Sequence, residues 1–211
     1  MKYKCIIFDC DGVLVDSESI SKTALAEEAA LHGANLSSEF IEQEFVGKAL
    51  KSTLIAIERD YNVVLPMDFE KRFRRRTYSK FKTDIQPMPG VVDFVKSLDI
   101  PFCVASSGPE EKIRINLKGT GLLPYFEGKI FSAYAIQKWK PDPSVFLWAA
   151  KSMGFIPEEC AVIEDTVSGV RAGVTGGFDT FALSTTKNEI ELNKLGAINF
   201  RTFDELEALL K

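Results

Sequence analysis

Two aspartates near the start of the chain are the first residues whose spacing suggests chemistry. Asp9 and Asp11 stand one residue apart, directly after the apolar residues 5–8 and directly before Gly12. A run this apolar predicts a strand buried on both faces of a parallel sheet, and open α/β sheets bind ligands just beyond the carboxyl ends of their strands. Paired carboxylates at that place indicate a metal ion, a covalent nucleophile, or both.

Further polar groups follow later apolar runs or lie among prolines. Ser106 follows one such run, Lys140 is followed by two prolines, and Glu164 with Asp165 forms a second acidic pair after another run. Each has a plain structural explanation when taken singly, such as a helix cap for Ser106. Together, acids at two strand ends with a lysine and a serine at two more predict a metal-assisted phosphoryl-transfer site, with Mg²⁺ held by carboxylates.

The elements that must position these residues fall into two patterns. Residues 17–86 show helical periodicity without a clear strand, and from residue 87 strands and helices alternate to the end. The predicted strands cover residues 5–8, 102–105, 129–132, 160–163, 179–183 and 197–200. We therefore predict an α/β fold in which residues 1–16 and 87–211 form a three-layer α/β/α, Rossmann-like core with a parallel sheet, and residues 17–86 form a small inserted helical domain.

Composition narrows the class of protein. The chain has 211 residues, of which 45% are hydrophobic and 27% charged, and its net charge is −4. These values fit an ordinary globular protein and argue against a general nucleic-acid or membrane-surface role. No apolar stretch has membrane-spanning length and the start does not resemble a signal peptide, so we expect a cytoplasmic protein. The four cysteines show no Cys-x-x-Cys spacing, which favours buried free thiols.

Two conspicuous features are assigned structural roles. The basic run at residues 71–76 resembles a nucleic-acid patch, but residues 17–86 contain 11 acidic and 11 basic residues. A solvated helix face is therefore the favoured interpretation. His32, the only histidine, precedes a glycine at a predicted helix end, where it favours the helix dipole rather than catalysis.

The motifs above resemble those of the haloacid dehalogenase superfamily, and the resemblance covers the whole chain. Residues 17–86 stand where the β-phosphoglucomutase-like branch of that superfamily keeps its cap domain. Residues 131–143 are most similar to bacterial sugar-phosphate phosphatases of the 6-phosphogluconate phosphatase type. The four motifs occur in order as Asp9-x-Asp11-Gly-Val-Leu-Val-Asp16, Ser106, Lys140-Pro141 and Glu164-Asp165.

The resemblance implies a role for each acid. Asp9 would be the nucleophile, forming an aspartyl-phosphate and contributing to the Mg²⁺ site. Asp11 would protonate the leaving group, then activate water, and offer its backbone carbonyl to Mg²⁺. Asp165 would be a direct metal ligand, and Glu164 either a ligand or the partner of one.

The resemblance also implies the substrate-binding groups. Lys140 and Ser106 would hold phosphoryl oxygens, and Ser107 and Gly108 would add contacts to substrate. In the helical segment, Lys48 and Lys51 are placed to meet a second anionic group. The expected activity is Mg²⁺-dependent hydrolysis of small phosphate monoesters, namely sugar or sugar-acid phosphates such as 6-phosphogluconate, by a monomer that does not act on nucleic acid.

Four alternative functions depend on residues or segments that can be compared with this chain. Phosphosugar mutases of this branch carry a His where this chain has residues 19–21, and an Arg in the cap loop where it has only lysines. The metal-free dehalogenases lack the second acid, here Asp11. A phosphonate hydrolase needs a cap lysine, which Lys48 and Lys51 leave open. A receiver-like module with an acidic pocket is non-catalytic, and its fold has no large helical insertion after the first strand.

Overall fold

The strand that precedes Asp9 lies near the centre of a six-stranded sheet. The computed structural model describes residues 2–45, 50–186 and 188–211. Their strands are β1 (Cys5–Phe8), β2 (Phe102–Ser106), β3 (Ile130–Ser132), β4 (Cys160–Glu164), β5 (Asp179–Leu183) and β6 (Ile198–Phe200). The order across the sheet is β3-β2-β1-β4-β5-β6, and every neighbouring pair is parallel. The predicted parallel α/β core is confirmed.

Twelve α-helices occur in the described residues. Those of residues 17–85 are α1 (Ser17–Ala30), α2 (Ser38–Glu44), α3 (Leu50–Tyr61) and α4 (Phe69–Thr83). The others are α5 (Val91–Ser97), α6 (Glu110–Gly119), α7 (Leu123–Phe126), α8 (Ala133–Ile136), α9 (Ser144–Met153), α10 (Val167–Thr175), α11 (Glu189–Lys194) and α12 (Phe203–Leu209). A 3₁₀ turn covers Pro157–Glu159.

Helices cover both faces of the sheet, because side chains of β1 alternate between them. Ile7 joins a buried cluster with Phe146 of α9 on one face. Phe8 points the other way and packs edge-to-face against Phe94 of α5 and Phe126 of α7. All four residues of β1 are buried, which explains why this strand has no polar residue before Asp9.

The chain divides into two compact units, Met1–Asp16 with Gln86–Lys211, and Ser17–Ile85. The first unit contains the sheet. The described residues of the second unit form helices α1 to α4 and no strand. Its own core includes Leu25 of α1, Ile57 of α3 and Phe73 of α4, so the apolar stripe of α4 is used within this unit.

Three arginines of the basic run of α4 are paired with acids of the same unit. Its ion pairs are Arg72–Asp68, Arg74–Glu70, and Arg76 with both Glu27 and Glu28. This agrees with the predicted solvated helix face. His32 follows α1, with Nε2 3.6 Å from Glu28 Oε1 and its ring against Phe69, so it packs within the helical unit.

The observed bounds differ from the predicted ones in two useful ways. Strands β2 and β4 each extend one residue further than predicted, so that Ser106 and Glu164 are the last strand residues rather than the first loop residues. The sequence pattern does not predict α7 and α8, because a four-residue helix is too short to show apolar periodicity.

The cysteines of the first unit are thiols, and the helices are too short or too polar to cross a membrane in the part of the chain that the structure describes. Cys5, Cys10, Cys103 and Cys160 are all free and buried, as predicted. Within the described ranges, no helix combines the length and apolar character needed to cross a membrane.

Candidate active site

The polar residues selected from the sequence meet at one edge of the sheet. Asp9 follows β1, Ser106 ends β2 and Glu164 ends β4. Both β2 and β4 pair directly with β1, so their carboxyl ends lie side by side. The prediction that Lys140 also lies at a strand end is wrong, because α8 follows β3 directly; Lys140 reaches this edge from the segment between α8 and α9, and its peptide bond to Pro141 is cis.

Lys140 bridges two buried carboxylates. Its Nζ lies 2.5 Å from Asp9 Oδ1 and 2.7 Å from Glu164 Oε1, and it also donates to the backbone carbonyl of Ala105 at 3.1 Å. The Lys140 side chain is only 4% exposed, and its ammonium lies 4.5 Å from the centre of the Phe146 ring. The cation is therefore held in one place by three acceptors and an aromatic face.

Burial and the shared lysine set the charges of this cluster. Burial raises the pKa of Asp9 from its ordinary 3.8 to about 7, although Lys140 opposes the rise. Burial alone would raise the pKa of Glu164 as well, but Lys140 and the donors around the carboxylate hold it below its ordinary value. Burial would lower the pKa of Lys140, yet the two carboxylates raise it above 10.5. Lys140 is therefore a permanent cation here.

Both oxygens of Glu164 are engaged. Oε1 accepts from Lys140, and Oε2 accepts from the backbone N–H of Asp165 and from the N–H and hydroxyl of Thr166, at 2.8 to 3.0 Å. A Cβ on Gly169 would lie 1.7 Å from Oε1, so only glycine fits against this carboxylate. Of the two roles predicted for Glu164, this arrangement favours the partner that positions Lys140 and the Asp165 turn.

Asp165 lies against the turn that follows Asp9. Gly12 has φ +84°, and a Cβ there would lie 2.1 Å from Asp165 Oδ2. Asp165 Oδ1 is buried and has no hydrogen-bond partner in the described structure. Burial, reinforced by Glu164 and Asp9, raises the pKa of Asp165 well above its ordinary value. The site thus concentrates negative charge that Lys140 alone does not balance.

This imbalance is what a divalent cation would relieve. Among the described residues, no group of three or more His, Cys, Asp or Glu is arranged as a complete metal site. Mg²⁺ does not need one, because it usually takes one or two carboxylates and fills its remaining positions with waters and substrate oxygens. The unpartnered Oδ1 of Asp165 and its raised pKa therefore fit a Mg²⁺ ligand.

The loop after β2 lies beside Asp11. Ser106 is buried, and its Oγ accepts from the N–H of Gly108 at 3.1 Å. A Cβ on Gly108 would lie 3.8 Å from Asp11 Oδ2. Ser132 Oγ, at the end of β3, donates to the Gly108 carbonyl at 2.7 Å. Ser107 is half-buried in the same turn. The structure thus brings the Ser106 hydroxyl and the Asp11 carboxylate together around Gly108.

Sequence reasoning missed two residues that contact Asp11. Lys112 Nζ lies 2.8 Å from Asp11 Oδ2, and Asn116 Nδ2 lies 3.3 Å from Oδ1. Both belong to α6, which begins just after Ser106 and Gly108. Their four-residue spacing places them on one face of that helix. The sequence shows this spacing close to Ser106. It does not show that this face of α6 is directed toward Asp11.

Two lysines of the helical segment are predicted to bind substrate. Lys51 is exposed on α3, and its role in substrate binding stays a prediction. Lys48 lies outside the described residues.

Comparisons with known proteins agree with this geometry. The family model described as haloacid dehalogenase-like hydrolase matches residues 3–177. The chain is 32% identical over 181 residues to 6-phosphogluconate phosphatase of Escherichia coli (strain K12), covering 85% of this chain and 82% of that protein. It is 28% identical over 180 residues to the phosphorylated carbohydrates phosphatase of Thermotoga maritima, covering 83% and 82%.

A solved structure is similar over nearly its whole length. It is a HAD family hydrolase from Deinococcus radiodurans R1 with bound phosphate and sodium. The TM-score is 0.88 at 27% identity, and the match covers 99% of this chain and 95% of that chain.

Proposed function

This chain belongs to the haloacid dehalogenase-like hydrolase family and is a phosphatase, and we propose that it hydrolyses small sugar or sugar-acid phosphates with Mg²⁺ through an aspartyl-phosphate. The observation that carries the proposal is the buried cluster of Asp9, Lys140 and Glu164 at the carboxyl edge of the sheet. A carboxylate next to a permanent cation is suited to attack a dianionic phosphoryl group, because the cation offsets the repulsion between them.

The first half-reaction transfers the phosphoryl group to Asp9. An Asp9 oxygen forms a bond to phosphorus while the bond from phosphorus to the ester oxygen breaks. Asp11 gives its proton to the departing alkoxide. Lys140 and the loop that starts at Ser106 take up negative charge on the phosphoryl oxygens.

The second half-reaction regenerates the enzyme. Asp11, now a carboxylate, takes a proton from water as the water oxygen attacks phosphorus. The bond between phosphorus and the Asp9 oxygen breaks, and inorganic phosphate leaves. Splitting the hydrolysis into two displacements makes each step easier than direct attack by water.

Asp165, Asp9 and the backbone carbonyl of Asp11 are the groups that would hold Mg²⁺. When bound, the ion would supply positive charge beside the phosphoryl oxygens and neutralise the excess of carboxylates. Glu164 supports the site by holding Lys140 and the backbone of the Asp165 turn.

The names of two relatives support the proposed substrate class. One is a 6-phosphogluconate phosphatase and another a phosphorylated carbohydrates phosphatase, which supports a small phosphorylated carbohydrate as the substrate. We assign residues 17–86 as the cap domain that selects the leaving group, with Lys48 and Lys51 as the residues predicted to meet a second anionic group. A monomeric state and a cytoplasmic location belong to the same proposal.

The test is phosphate release by purified protein over a panel of sugar, sugar-acid and other small phosphate esters. Each is assayed with Mg²⁺ and with excess chelator. We expect Mg²⁺-dependent release, with 6-phosphogluconate among the best substrates. Conversion of a hexose 1-phosphate to the 6-phosphate without net phosphate release would instead establish a mutase, and full activity in chelator would exclude the metal-dependent mechanism.

A further inference from the structure

Two side chains of helix α6 donate hydrogen bonds to the carboxylate of Asp11. Lys112 Nζ donates to Oδ2 at 2.8 Å, and Asn116 Nδ2 donates to Oδ1 at 3.3 Å. Each carboxylate oxygen therefore has its own donor. Two donors on different oxygens restrict rotation about the Cβ–Cγ bond, which a single ion pair would leave free.

This pair differs from the surface ion pairs of the same helix. Arg114, for example, pairs with Glu110 and Glu127, whose side chains are more than half exposed. Asn116 is fully buried, and the Lys112 side chain is only 21% exposed. Burial alone would lower the pKa of Lys112, but Asp11 raises it above 10.5. Such a cation is kept in place at a cost in desolvation, which a surface pair does not incur.

The geometry also places the pair beside the phosphoryl-binding loop. A Cβ on Gly108 would lie 3.6 Å from Lys112 Cδ and 3.8 Å from Asp11 Oδ2. The Lys112 stem, the Asp11 carboxylate and the loop from Ser106 to Gly108 therefore pack against one another. A group that fixes Asp11 here fixes it relative to the site of phosphoryl transfer.

We propose that Lys112 is a positioning residue, assisted by Asn116. It orients the Asp11 carboxylate for proton exchange with the leaving group. This inference rests on the proposed phosphatase function. Lys112 itself neither gains nor loses a proton. Its ammonium orients Asp11 and stabilises the carboxylate that remains after the proton has passed to the departing alkoxide.

Such a role predicts a dependence on the leaving group. A p-nitrophenolate departs with little help from an acid, whereas an alkoxide needs its proton as the bond breaks. Loss of Lys112 should therefore harm an alkyl ester much more than p-nitrophenyl phosphate. A lysine that simply bound the phosphoryl group would harm both equally, since both esters carry the same group.

The experiment compares Lys112→Met with wild type in Mg²⁺, using p-nitrophenyl phosphate and the alkyl phosphate that the wild type hydrolyses best. The quantity is kcat/KM, which reports only the steps through leaving-group departure and is blind to the later hydrolysis of the aspartyl-phosphate. We expect a loss of about tenfold or more for the alkyl ester and about twofold or less for the nitrophenyl ester. Lys112→Arg, which keeps a cationic donor, should recover part of the alkyl activity.

Lys118→Met is the matched control, because Lys118 is an exposed lysine on the same helix; it should leave both kcat/KM values unchanged. Thermal unfolding of each variant identifies loss of fold. An equal loss on both esters by folded Lys112→Met, or no loss on either, would overturn the positioning role while leaving the phosphatase function intact. A wild type that releases phosphate from no ester would overturn the function itself.

Discussion

Asp165 lies so close to Gly12 that a single methyl group on Gly12 would meet its carboxylate at 2.1 Å. Two features therefore require glycine at position 12: the close contact with Asp165 and the φ of +84°. The turn after β1 and the turn after β4 are therefore in contact. In the proposed mechanism, this contact determines where Asp165 would offer an oxygen to Mg²⁺.

Gly12→Ala should push Asp165 aside and weaken Mg²⁺ binding. We expect the Mg²⁺ concentration for half-maximal activity to rise about 10- to 100-fold, the scale for disturbing the support of a metal ligand. Gly121→Ala is the control, because Gly121 also has positive φ (+74°) but nothing within 4 Å of the added Cβ. It shares the backbone strain without the contact. Equal Mg²⁺ dependence in the two variants would contradict this account of Gly12.

Lys140→Met should lower kcat by about 10²-fold or more, the effect of losing one preorganised group that faces developing charge. Lys140→Arg should recover little, because a planar guanidinium does not fit a site shaped for a point-charge ammonium. Lys138→Met removes an exposed lysine two residues away and should have no effect. A loss in Lys138→Met similar to that in Lys140→Met would show that the segment, rather than the Lys140 cation, matters.

Asp165→Asn should stabilise the metal-free protein while removing its response to Mg²⁺. Its Oδ1 is buried without a hydrogen-bond partner and its pKa is raised, so ionisation of this carboxyl group costs folding free energy. We expect the Tm in chelator to rise by a few degrees, at about 2–4 °C per kcal/mol for a chain of this size. Mg²⁺ should raise the Tm of wild type and not of the variant; a wild type whose Tm ignores Mg²⁺ would contradict the metal site.

Asp9→Asn should stabilise the metal-free protein in a pH-dependent way. The pKa of Asp9 is about 7 in the folded protein against an ordinary 3.8, so ionisation of Asp9 destabilises the folded state. This destabilisation is complete above pH 7. That cost disappears as pH falls toward 3.8, because the folded state takes up the proton first. The Tm gain from Asp9→Asn should therefore be larger at pH 8 than at pH 5. Asp99→Asn, at an exposed position, should show no such trend.

The sequence predicts the part of this structure that depends on local patterns. The apolar run before Asp9 is buried as expected, and three neighbouring strands end at or just before the acids and the serine that the structure brings together with Lys140. These predictions succeed because burial on both faces and the alternation of strands and helices leave direct traces in residue order.

What could not be predicted depends on long-range packing. The sequence does not show that α6 turns Lys112 and Asn116 toward Asp11, because helical periodicity defines a face without saying what it meets. It also does not show that one oxygen of Glu164 accepts a hydrogen bond from Lys140 and the other accepts from the Asp165–Thr166 turn. The sequence alone therefore leaves both a direct metal role and a supporting role for Glu164 open.

The most direct test of the central claim is to find the phosphoryl group on Asp9. Wild-type protein is mixed with p-nitrophenyl phosphate and Mg²⁺, and the reaction is quenched in acid during turnover. The protein is then digested, and the masses of its peptides are measured by mass spectrometry. We predict one added phosphoryl group on the peptide that contains Asp9, and neither this adduct nor turnover in folded Asp9→Asn. A folded Asp9→Asn protein that hydrolyses the ester at the wild-type rate would contradict the mechanism.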